Sequence, residues 1–448
     1  MKLNKVLSLL VLIATVVFSC KKNDDVPGPK IISGGSKDTL ALGVATTYKP
    51  QFNNKAGLSF QWTSNGAPVS TDSIYQFTAT TYGDYHLVLT AKNQTGIDSV
   101  VYNIHVLGKY ENGYFMVHEG QYGTTNGDMA YYSYDSNKVT FNIFKKENPD
   151  KNLGPTTATL QYATIYNGKM YMVAKVGGPM VVADAYSMKE TGRIAALPGD
   201  EGHAFVGIDN SRGLLSTVNG VYPVNLSTLA LGAKIAGTTG AVGDMLSVDN
   251  KYVFVLTEGD GVVVLNSTDY SVVKKFDRAT IGFVRTKDGA VWAAGDSSLM
   301  RIDPVTLART ETKLPFKVTN PWAMWSWRSG SITTNPDGTE VYIAARNEFM
   351  GGIGGSLEYG GTKLYKYIPG NAASLSTPYI TLPAGQYFYG SAVRYNQRTK
   401  ELVILTLTDE WGASNDNRWL IYDAGTATLK NTIRYTSYSF PAMPVFYP

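Results

Sequence analysis

The segment from residue 320 to residue 328 concentrates side chains that could bind a flat ligand. It holds Trp322, Trp325 and Trp327, three of the seven tryptophans of the chain, followed by Arg328. Side chains two positions apart in an extended strand lie on the same side, so Trp325 and Trp327 would share a face that Trp322 could meet from the loop. Such a wall could stack against a flat or amphipathic ligand. The alternative is that at least two of the three rings belong to a hydrophobic core.

Further candidate ligand contacts lie in polar segments rich in aromatic and amide side chains. Trp411, Asn415 and Asp416 supply a ring, an amide and a carboxylate in one such segment, which could equally be a solvated loop. The other candidates are Tyr122, Asn126, Arg346, Glu348 and Tyr387. The glycine run 351–355 after Glu348 does not lie between a strand and a helix, so it is not a phosphate-binding fingerprint.

The sequence offers little for catalysis or metal binding. Only His118, next to Glu119, and His203, close to Asp200 and Glu201, could lie near a ligand, and they show no known metal-ligand spacing. We therefore predict no catalytic residue, no metal and no cofactor, and expect the protein not to be an enzyme. A Glu/His base of the lyase type and a carboxylate pair for glycoside cleavage remain open alternatives.

The amino terminus predicts export and lipidation. Residues 1–19 contain two lysines followed by an apolar run that is too short to cross a bilayer, as in a signal peptide. The run 17–20, which ends in Cys20, resembles the lipobox of bacterial lipoproteins, and Cys20 is the only cysteine of the chain. This resemblance implies lipidation of Cys20 after cleavage. The acidic pair that follows resembles the surface-export tag of Gram-negative gut anaerobes, which implies an anchor in the outer membrane facing the exterior.

Composition excludes some classes of partner. Without residues 1–19 the chain carries 38 basic and 36 acidic side chains, and no clustered basic surface that would indicate a nucleic-acid partner. The 45 glycines, the 30 tyrosines and the short apolar runs indicate an all-β fold.

Residues 20–38 are predicted to be the lipidated cysteine and a tether, because they are rich in proline, glycine and serine. Residues 39–107 contain short predicted strands separated by turns, which favours a β-sandwich. Trp62 and the segment 83–89 resemble immunoglobulin-like and polycystic-kidney-disease-type (PKD) modules, in which the tryptophan packs in the core. Such modules most often act as spacers.

Residues 110–448 repeat one pattern seven times, with two apolar strands, a polar turn and a further strand in each repeat. The shorter repeats have the length of a four-stranded blade, so we predict a seven-bladed β-propeller. The apolar, aromatic carboxyl terminus, 438–448, is predicted to close the blade that starts near residue 113, because an open ring would expose a sheet edge. Nearly all the long connections are predicted on one face of this propeller, where binding usually occurs.

The lipobox, the seven irregular Tyr-rich blades and the terminal segment 440–446 together resemble a family of surface lipoproteins from gut anaerobes. Its characterised members capture cobalamin and cover a TonB-dependent outer-membrane transporter. The resemblance implies a small-molecule ligand, most directly a corrinoid, that is handed to such a transporter by a protein that is otherwise a monomer. The sandwich is a departure from this family. A glycan- or protein-binding adhesin and a propeller hydrolase or lyase are the alternatives.

Overall fold

The computed structural model describes residues 27–277, 279–318, 322, 327–346, 361–408, 417–436 and 440–448. The chain divides into two compact units, Met1–Leu107 and Gly108–Pro448. Both units are built from β-strands, and the α-helix of the described residues is the short α1 (Ile143–Glu147). The all-β prediction is therefore confirmed. No helix in the described ranges is long and apolar enough to cross a membrane.

The described strands of the first unit form a five-stranded sheet with two small two-stranded sheets. The five-stranded order is β2-β9-β8-β5-β6, with β2 parallel to β9 and the other neighbours antiparallel. Pairs β1-β4 and β3-β7 form the small sheets. The strands are β1 (Ile31–Ser33), β2 (Ser36–Ala41), β3 (Thr46–Tyr48), β4 (Gln51–Phe52), β5 (Ser59–Ser64), β6 (Ala67–Ser70), β7 (Tyr75–Phe77), β8 (Gly83–Lys92) and β9 (Ile97–Leu107).

Trp62 is the centre of the core of this unit, as predicted. Its side chain is fully buried and its ring packs against Tyr75 and Tyr102. The indole Nε1 donates a hydrogen bond to the carbonyl oxygen of Asp72 at 2.8 Å, so burial leaves no unpaired donor on the ring. The hydroxyl of Tyr85 donates to the carbonyl oxygen of Thr81, which fixes the corner before β8.

Strands β1 and β2 lie where the composition predicts a tether. The backbone of β2 pairs with β9 from Ser36↔Tyr102 to Ala41↔Leu107, and β1 pairs with β4. Composition indicates how flexible an isolated segment is. It does not show that the segment can pair with the free edge of another strand, as β2 pairs with the long β9.

The second unit contains seven antiparallel sheets in its described residues. Sheets 2 to 7 follow the chain, and sheet 1 has the order β12-β11-β10-β36 and so joins both ends of the unit. The strands of sheets 1 to 3 are β10 (Gly113–His118), β11 (Asp128–Ser133), β12 (Lys138–Thr140) and β36 (Pro441–Val445); β13 (Leu160–Tyr166), β14 (Lys169–Ala174), β15 (Met180–Asp184) and β16 (Glu190–Ile194); and β17 (Gly202–Gly207), β18 (Arg212–Thr217) and β19 (Gly220–Asn225). Those of sheets 4 and 5 are β20 (Val242–Val248), β21 (Tyr252–Thr257), β22 (Gly261–Asn266) and β23 (Val272–Lys275); and β24 (Ile281–Arg285), β25 (Val291–Gly295), β26 (Ser298–Ile302) and β27 (Arg309–Lys313). Those of sheets 6 and 7 are β28 (Ile332–Thr334), β29 (Val341–Ala344), β30 (Lys363–Tyr367) and β31 (Ile380–Thr381); and β32 (Tyr387–Asn396), β33 (Glu401–Leu407), β34 (Asn417–Asp423) and β35 (Leu429–Tyr435).

The middle strands of each sheet are apolar throughout because both of their faces are buried. In β21, Val253 and Val255 point into the core shared with sheet 3, whereas Phe254 and Leu256 point into the core shared with sheet 5. A strand places successive side chains on opposite faces, so one apolar run supplies two cores. This explains why the sequence pattern identified the second and third strands of the sheets most clearly.

The inner strands form a closed circuit of contacts. Strands β13, β17, β20, β24, β28, β32 and β36 each contact the next, and β36 contacts β13. The carboxyl-terminal β36 also pairs with β10, with Phe115 opposite Val445 and Met116 opposite Pro444. Sheets arranged in this way are the blades of a β-propeller fold.

Long and short connections lie at opposite ends of the sheets. Strands alternate in direction, so the connection into each inner strand and the connection between its second and third strands lie at one end. That end carries the long connections 119–127, 141–159, 314–331, 345–362 and 408–416. Most turns at the other end are short, as at 167–168 and 249–251, and the connection 368–379 is the long one there. We call the first end the long-loop face.

Candidate functional site

The connection between β27 and β28 reaches the centre of the circuit of inner strands. Within it, Trp327 packs against Tyr162 of sheet 2 and His203 of sheet 3, and Ser329 bonds to Asp244 of sheet 4. A segment between sheets 5 and 6 can contact sheets 2, 3 and 4 only by crossing the middle of the ring. The charged side chains gathered there are called the axial cluster: Glu119, Lys175, Glu201, His203, Asp244, Arg328 and Arg394.

Asp244 and Arg394 clamp the connection from two sides. The carboxylate of Asp244 accepts hydrogen bonds from Ser329 Oγ at 2.9 Å and from the backbone N–H of Gly330 at 2.7 Å. The guanidinium of Arg394 donates to Ser329 Oγ at 2.7 Å and to the carbonyl oxygen of Gly330 at 2.8 Å. Burial raises the pKa of Asp244 to about 6 and lowers the pKa of Arg394. Burial disfavours the charged forms of both side chains, and their hydrogen bonds to Ser329 and Gly330 offset part of this desolvation penalty.

Arg328 and Glu119 form a second buried charge pair, which joins the connection to sheet 1. Arg328 Nη2 donates to the hydroxyl of Tyr389 at 2.5 Å, and this hydroxyl donates to Glu119 Oε2 at 3.2 Å. Arg328 Nε lies 3.8 Å from Glu119 Oε1. Burial raises the pKa of Glu119, and the charge of Arg328 opposes that rise. The guanidinium also stacks on the ring of Tyr389, at 4.0 Å from its centroid.

Glu201 is the partly exposed end of the cluster, and His203 lies buried behind it. His203 is 1% exposed, but the Glu201 side chain is 24% exposed. Glu201 Oε1 lies 3.3 Å from His203 Nε2 and 3.9 Å from Lys175 Nζ. The half-buried ring of Trp322 lies 6.2 Å from the His203 ring. We call Trp322, Glu201 and Lys175 the mouth of the cluster, since they combine an aromatic surface with two charged groups.

Gly243 allows the two tryptophans to lie over β20. A Cβ atom at this position would lie 2.4 Å from Trp327 Nε1 and 3.0 Å from Trp322 Cη2. Trp322 and Trp327 also pair through their backbones, so the connection doubles back above this glycine. The stack of Trp327 on His203, with 5.1 Å between centroids and 22° between planes, therefore depends on the missing side chain.

The predicted contact residues fall into three groups. Trp322, Trp327 and Arg328 belong to the axial site, where Trp327 is 2% exposed and Arg328 is buried in an ion pair rather than presented to solvent. Tyr122 is 64% exposed at a loop tip, Asn126 donates to the carbonyl oxygen of Gly154, and Arg346 and Tyr387 are half-buried on the long-loop face. Trp325, Glu348, Trp411, Asn415, Asp416 and Cys20 lie outside the described residues.

Sequence reasoning missed Lys175, Asp244, Tyr389 and Arg394. Each lies within or beside an inner or second strand, where the sequence pattern predicts only core. The one available signal was a charge inside an apolar strand, as for Asp244 in β20.

His118 and Asp200, the other residues considered for chemistry, do not join the Glu201–His203 pair. His118 is buried against Trp419 and Tyr435 in the core between sheets 7 and 1, away from His203. Asp200 is exposed and does not join the Glu201–His203 pair. Within the described ranges, no group of three or more His, Cys, Asp or Glu side chains could hold a metal ion.

Comparisons with known proteins extend these observations. A family model described as a domain of unknown function, DUF5074, matches residues 112–447. No curated protein matches the chain. A solved structure from Bacteroides thetaiotaomicron VPI-5482, described as a quinonprotein alcohol dehydrogenase-like protein, is 17% identical with a TM-score of 0.59, covering 94% of this chain and 99% of that one. The β-propeller domain of Cps50 (Swd1) from Myceliophteria thermophila is 11% identical with a TM-score of 0.42, covering 61% of this chain and 86% of that one. At 17% identity the bacterial structure supports the fold and nothing about its chemistry.

Proposed function

The chain belongs to the DUF5074 family, and we propose that it is a cell-surface lipoprotein whose propeller captures a scarce nutrient without transforming it. The ligand proposed first is cobalamin or a related corrinoid, which the protein would pass to a TonB-dependent outer-membrane transporter. The observation that carries this proposal is the mouth of the axial cluster. It combines a half-buried indole with paired charges at the centre of the long-loop face. Pockets for large amphipathic ligands combine apolar walls with a few fixed polar groups in this way.

The proposed architecture has an anchor, a spacer and a capture domain. Seven sheets in the described residues and their closed circuit of contacts support a seven-bladed propeller. The buried Trp62 and the Tyr85 corner support an immunoglobulin- or PKD-like spacer. The lipobox at Cys20 supports an outer-membrane anchor facing the exterior.

Binding without catalysis fits the way the polar groups are used. Glu119, Asp244 and Arg394 make hydrogen bonds within the protein, and Glu201 and Lys175 are the charged groups that we place at the mouth. A general acid or base needs to be within hydrogen-bond reach of the reacting group. His203, at 1% exposure, lies behind Glu201 and the ring of Trp322.

The test is calorimetric titration of the detergent-purified protein with cyanocobalamin. We expect saturable one-to-one binding that Trp322→Ala abolishes or weakens by at least about tenfold, since removing one stacking ring at a desolvated contact costs about 2 kcal/mol or more. The control is Tyr252→Ala, which removes a half-buried ring at the opposite end of the sheets. Absence of binding by folded protein rules out the corrinoid. Binding of a glycan instead, with the same loss in Trp322→Ala, identifies the protein as a surface adhesin.

A further inference from the structure

An open groove on the long-loop face of sheet 2 shares no residue with the axial cluster. Its volume of about 450 Å³ lies within the range of small-molecule sites. One wall comes from the connection 150–155, and the other comes from Gly177, Pro179 and the end of β16 with Ala195 after it. Among the described residues that line the groove, none has an aromatic ring or a large aliphatic side chain. The groove itself therefore does not suit a lipid or a flat apolar ligand.

The polar side chains of this groove hold one another in place. Arg193 Nε and Nη2 donate to the two carboxylate oxygens of Glu190, at 2.8 Å and 2.6 Å, and Nη2 also donates to the carbonyl oxygen of Asn152 at 3.2 Å. Lys151 Nζ lies 3.3 Å from Glu190 Oε1. Burial acts to raise the pKa of Glu190, but the hydrogen bonds and charges of Arg193 and Lys151 hold that pKa below its ordinary value. Groups fixed in this way lose little conformational entropy when a ligand binds.

The groove presents hydrogen-bond donors and acceptors side by side. The exposed carboxylate of Asp150 is next to Lys151 in one wall, and Glu190 lies between Lys151 and Arg193. A site for an ion presents mainly the opposite charge, whereas both signs of charge line this groove. Each hydroxyl group of a sugar donates one hydrogen bond and accepts others, so neighbouring hydroxyls need both kinds of partner. The lining therefore suits a neutral polyhydroxylated ligand.

Tyr122 provides an exposed aromatic ring beside the groove. Its side chain is 64% exposed at the tip of its loop. The backbone N–H of the next residue, Gly123, donates to the carbonyl oxygen of Thr156 at 2.9 Å, and Asn126 of the same loop donates to the carbonyl oxygen of Gly154. Gly154 lines the groove, so these two bonds fix the loop of Tyr122 against its wall.

We propose that this groove binds a neutral oligosaccharide, with one sugar ring stacked on Tyr122 and the hydroxyls of the neighbouring sugar bound inside the groove. The direct polar contacts are Asp150, Asn152 and Arg193. The face of an aromatic ring is negative and attracts the C–H groups on the apolar face of a pyranose. This site is separate from the mouth of the axial cluster, so the protein would bind a glycan in addition to the nutrient proposed above.

The test screens the detergent-purified protein against an array of neutral and acidic oligosaccharides and then measures the neutral ones that bind by calorimetry. We expect saturable binding of at least one neutral oligosaccharide. Tyr122→Ala should weaken it at least about tenfold, whereas Tyr122→Phe, which keeps the ring, should bind like the unmodified protein. Asp150→Ala should weaken it about tenfold, because it removes a charged acceptor. The matched controls are Tyr252→Ala and Asp337→Ala at the opposite end of the sheets, which should have no effect.

The outcomes separate this groove from the mouth of the axial cluster. Failure of the folded protein to bind any neutral oligosaccharide overturns the proposal, and so does binding confined to acidic ones. Binding that Tyr122→Ala and Asp150→Ala leave unchanged also overturns it. If Trp322→Ala abolishes glycan binding and Tyr122→Ala does not, the glycan occupies the mouth and the groove is not its site. Tyr122→Ala should leave cyanocobalamin binding unchanged, so a failure of one proposal is distinguishable from a failure of the other.

Discussion

Gly243→Ala should displace the tryptophan stack without touching any charged group. The added Cβ would lie 2.4 Å from Trp327 Nε1 and 3.0 Å from Trp327 Cε2, whereas ordinary contacts begin near 3.4 Å. Trp327 must therefore move by about 1 Å in a site where it is 2% exposed. Overpacking of this kind costs about 1 to 3 kcal/mol of stability. Since Trp322 lies beside the same added Cβ, cyanocobalamin binding should weaken as well.

The assay is urea unfolding followed by circular dichroism, together with the near-ultraviolet signal of the tryptophans. We expect a lower unfolding midpoint and an altered tryptophan signal in the folded state. The control is Gly425→Ala, whose Cβ would meet its nearest atom, Asp423 Oδ1, at 3.4 Å and should change stability by less than about 0.5 kcal/mol. If Gly243→Ala unfolds like the unmodified protein and keeps its tryptophan signal, the reasoning about Trp327 and His203 is refuted.

Three further predictions concern stability. Burial raises the folded-state pKa of Asp244 from 3.8 to about 6, so the protonated carboxyl contributes fully to the free energy of unfolding below pH 4, and this contribution is lost as the pH rises through 6. The free energy of unfolding of Asp244→Asn should therefore fall by about 3 kcal/mol less over this pH range than that of the unmodified protein. Equal pH profiles for the two proteins would contradict this. Arg328→Met should lower the free energy of unfolding by about 3 to 5 kcal/mol, because it leaves Glu119 buried without its cation. The double variant with Glu119→Gln should regain part of this loss in urea unfolding. No recovery would argue against the ion pair. Asn225→Ala should lower the melting temperature, because it removes the Oδ1 that accepts from the N–H groups of Ser227 and Thr228 and so lowers the free energy of unfolding by about 1 kcal/mol. Asn225→Asp keeps such an acceptor and should keep most of the stability.

The repeated turns show how far local sequence can predict geometry. In five sheets an Asp or Asn accepts hydrogen bonds from its own backbone two or three residues later, and the fourth residue on, such as Leu229 or Leu307, has a positive φ. The backbone N–H of that residue also bonds to the carbonyl oxygen of the Asx residue, at 2.8 Å for both Leu229 and Leu307. These interactions span five residues, so the side chain that directs the turn is visible in the sequence beside it.

The sequence did not show whether the tryptophans of segment 320–328 are exposed or buried. Its composition identified the region of the site, but it was compatible both with an exposed wall and with a buried core. The structure buries Trp327 and leaves Trp322 half-buried, and Gly243 of a distant strand leaves room for both rings beside it. The partner of Ser329, Asp244, is 85 residues away in the chain, and no local pattern links them.

The sequence by itself determined the all-β class, the repeated strand pairs and the turns between them, because each depends on the period-two alternation of a strand or on hydrogen bonds between near neighbours. The tertiary structure alone decided which charges meet. Asp244 lies in β20, whereas Lys175, Glu201 and Arg328 lie in three different connections. They converge because the closed circuit of inner strands brings the same end of every sheet to one centre. The charge pairs in that centre depend on distances across the ring, which are a property of the closed fold and of no segment within it.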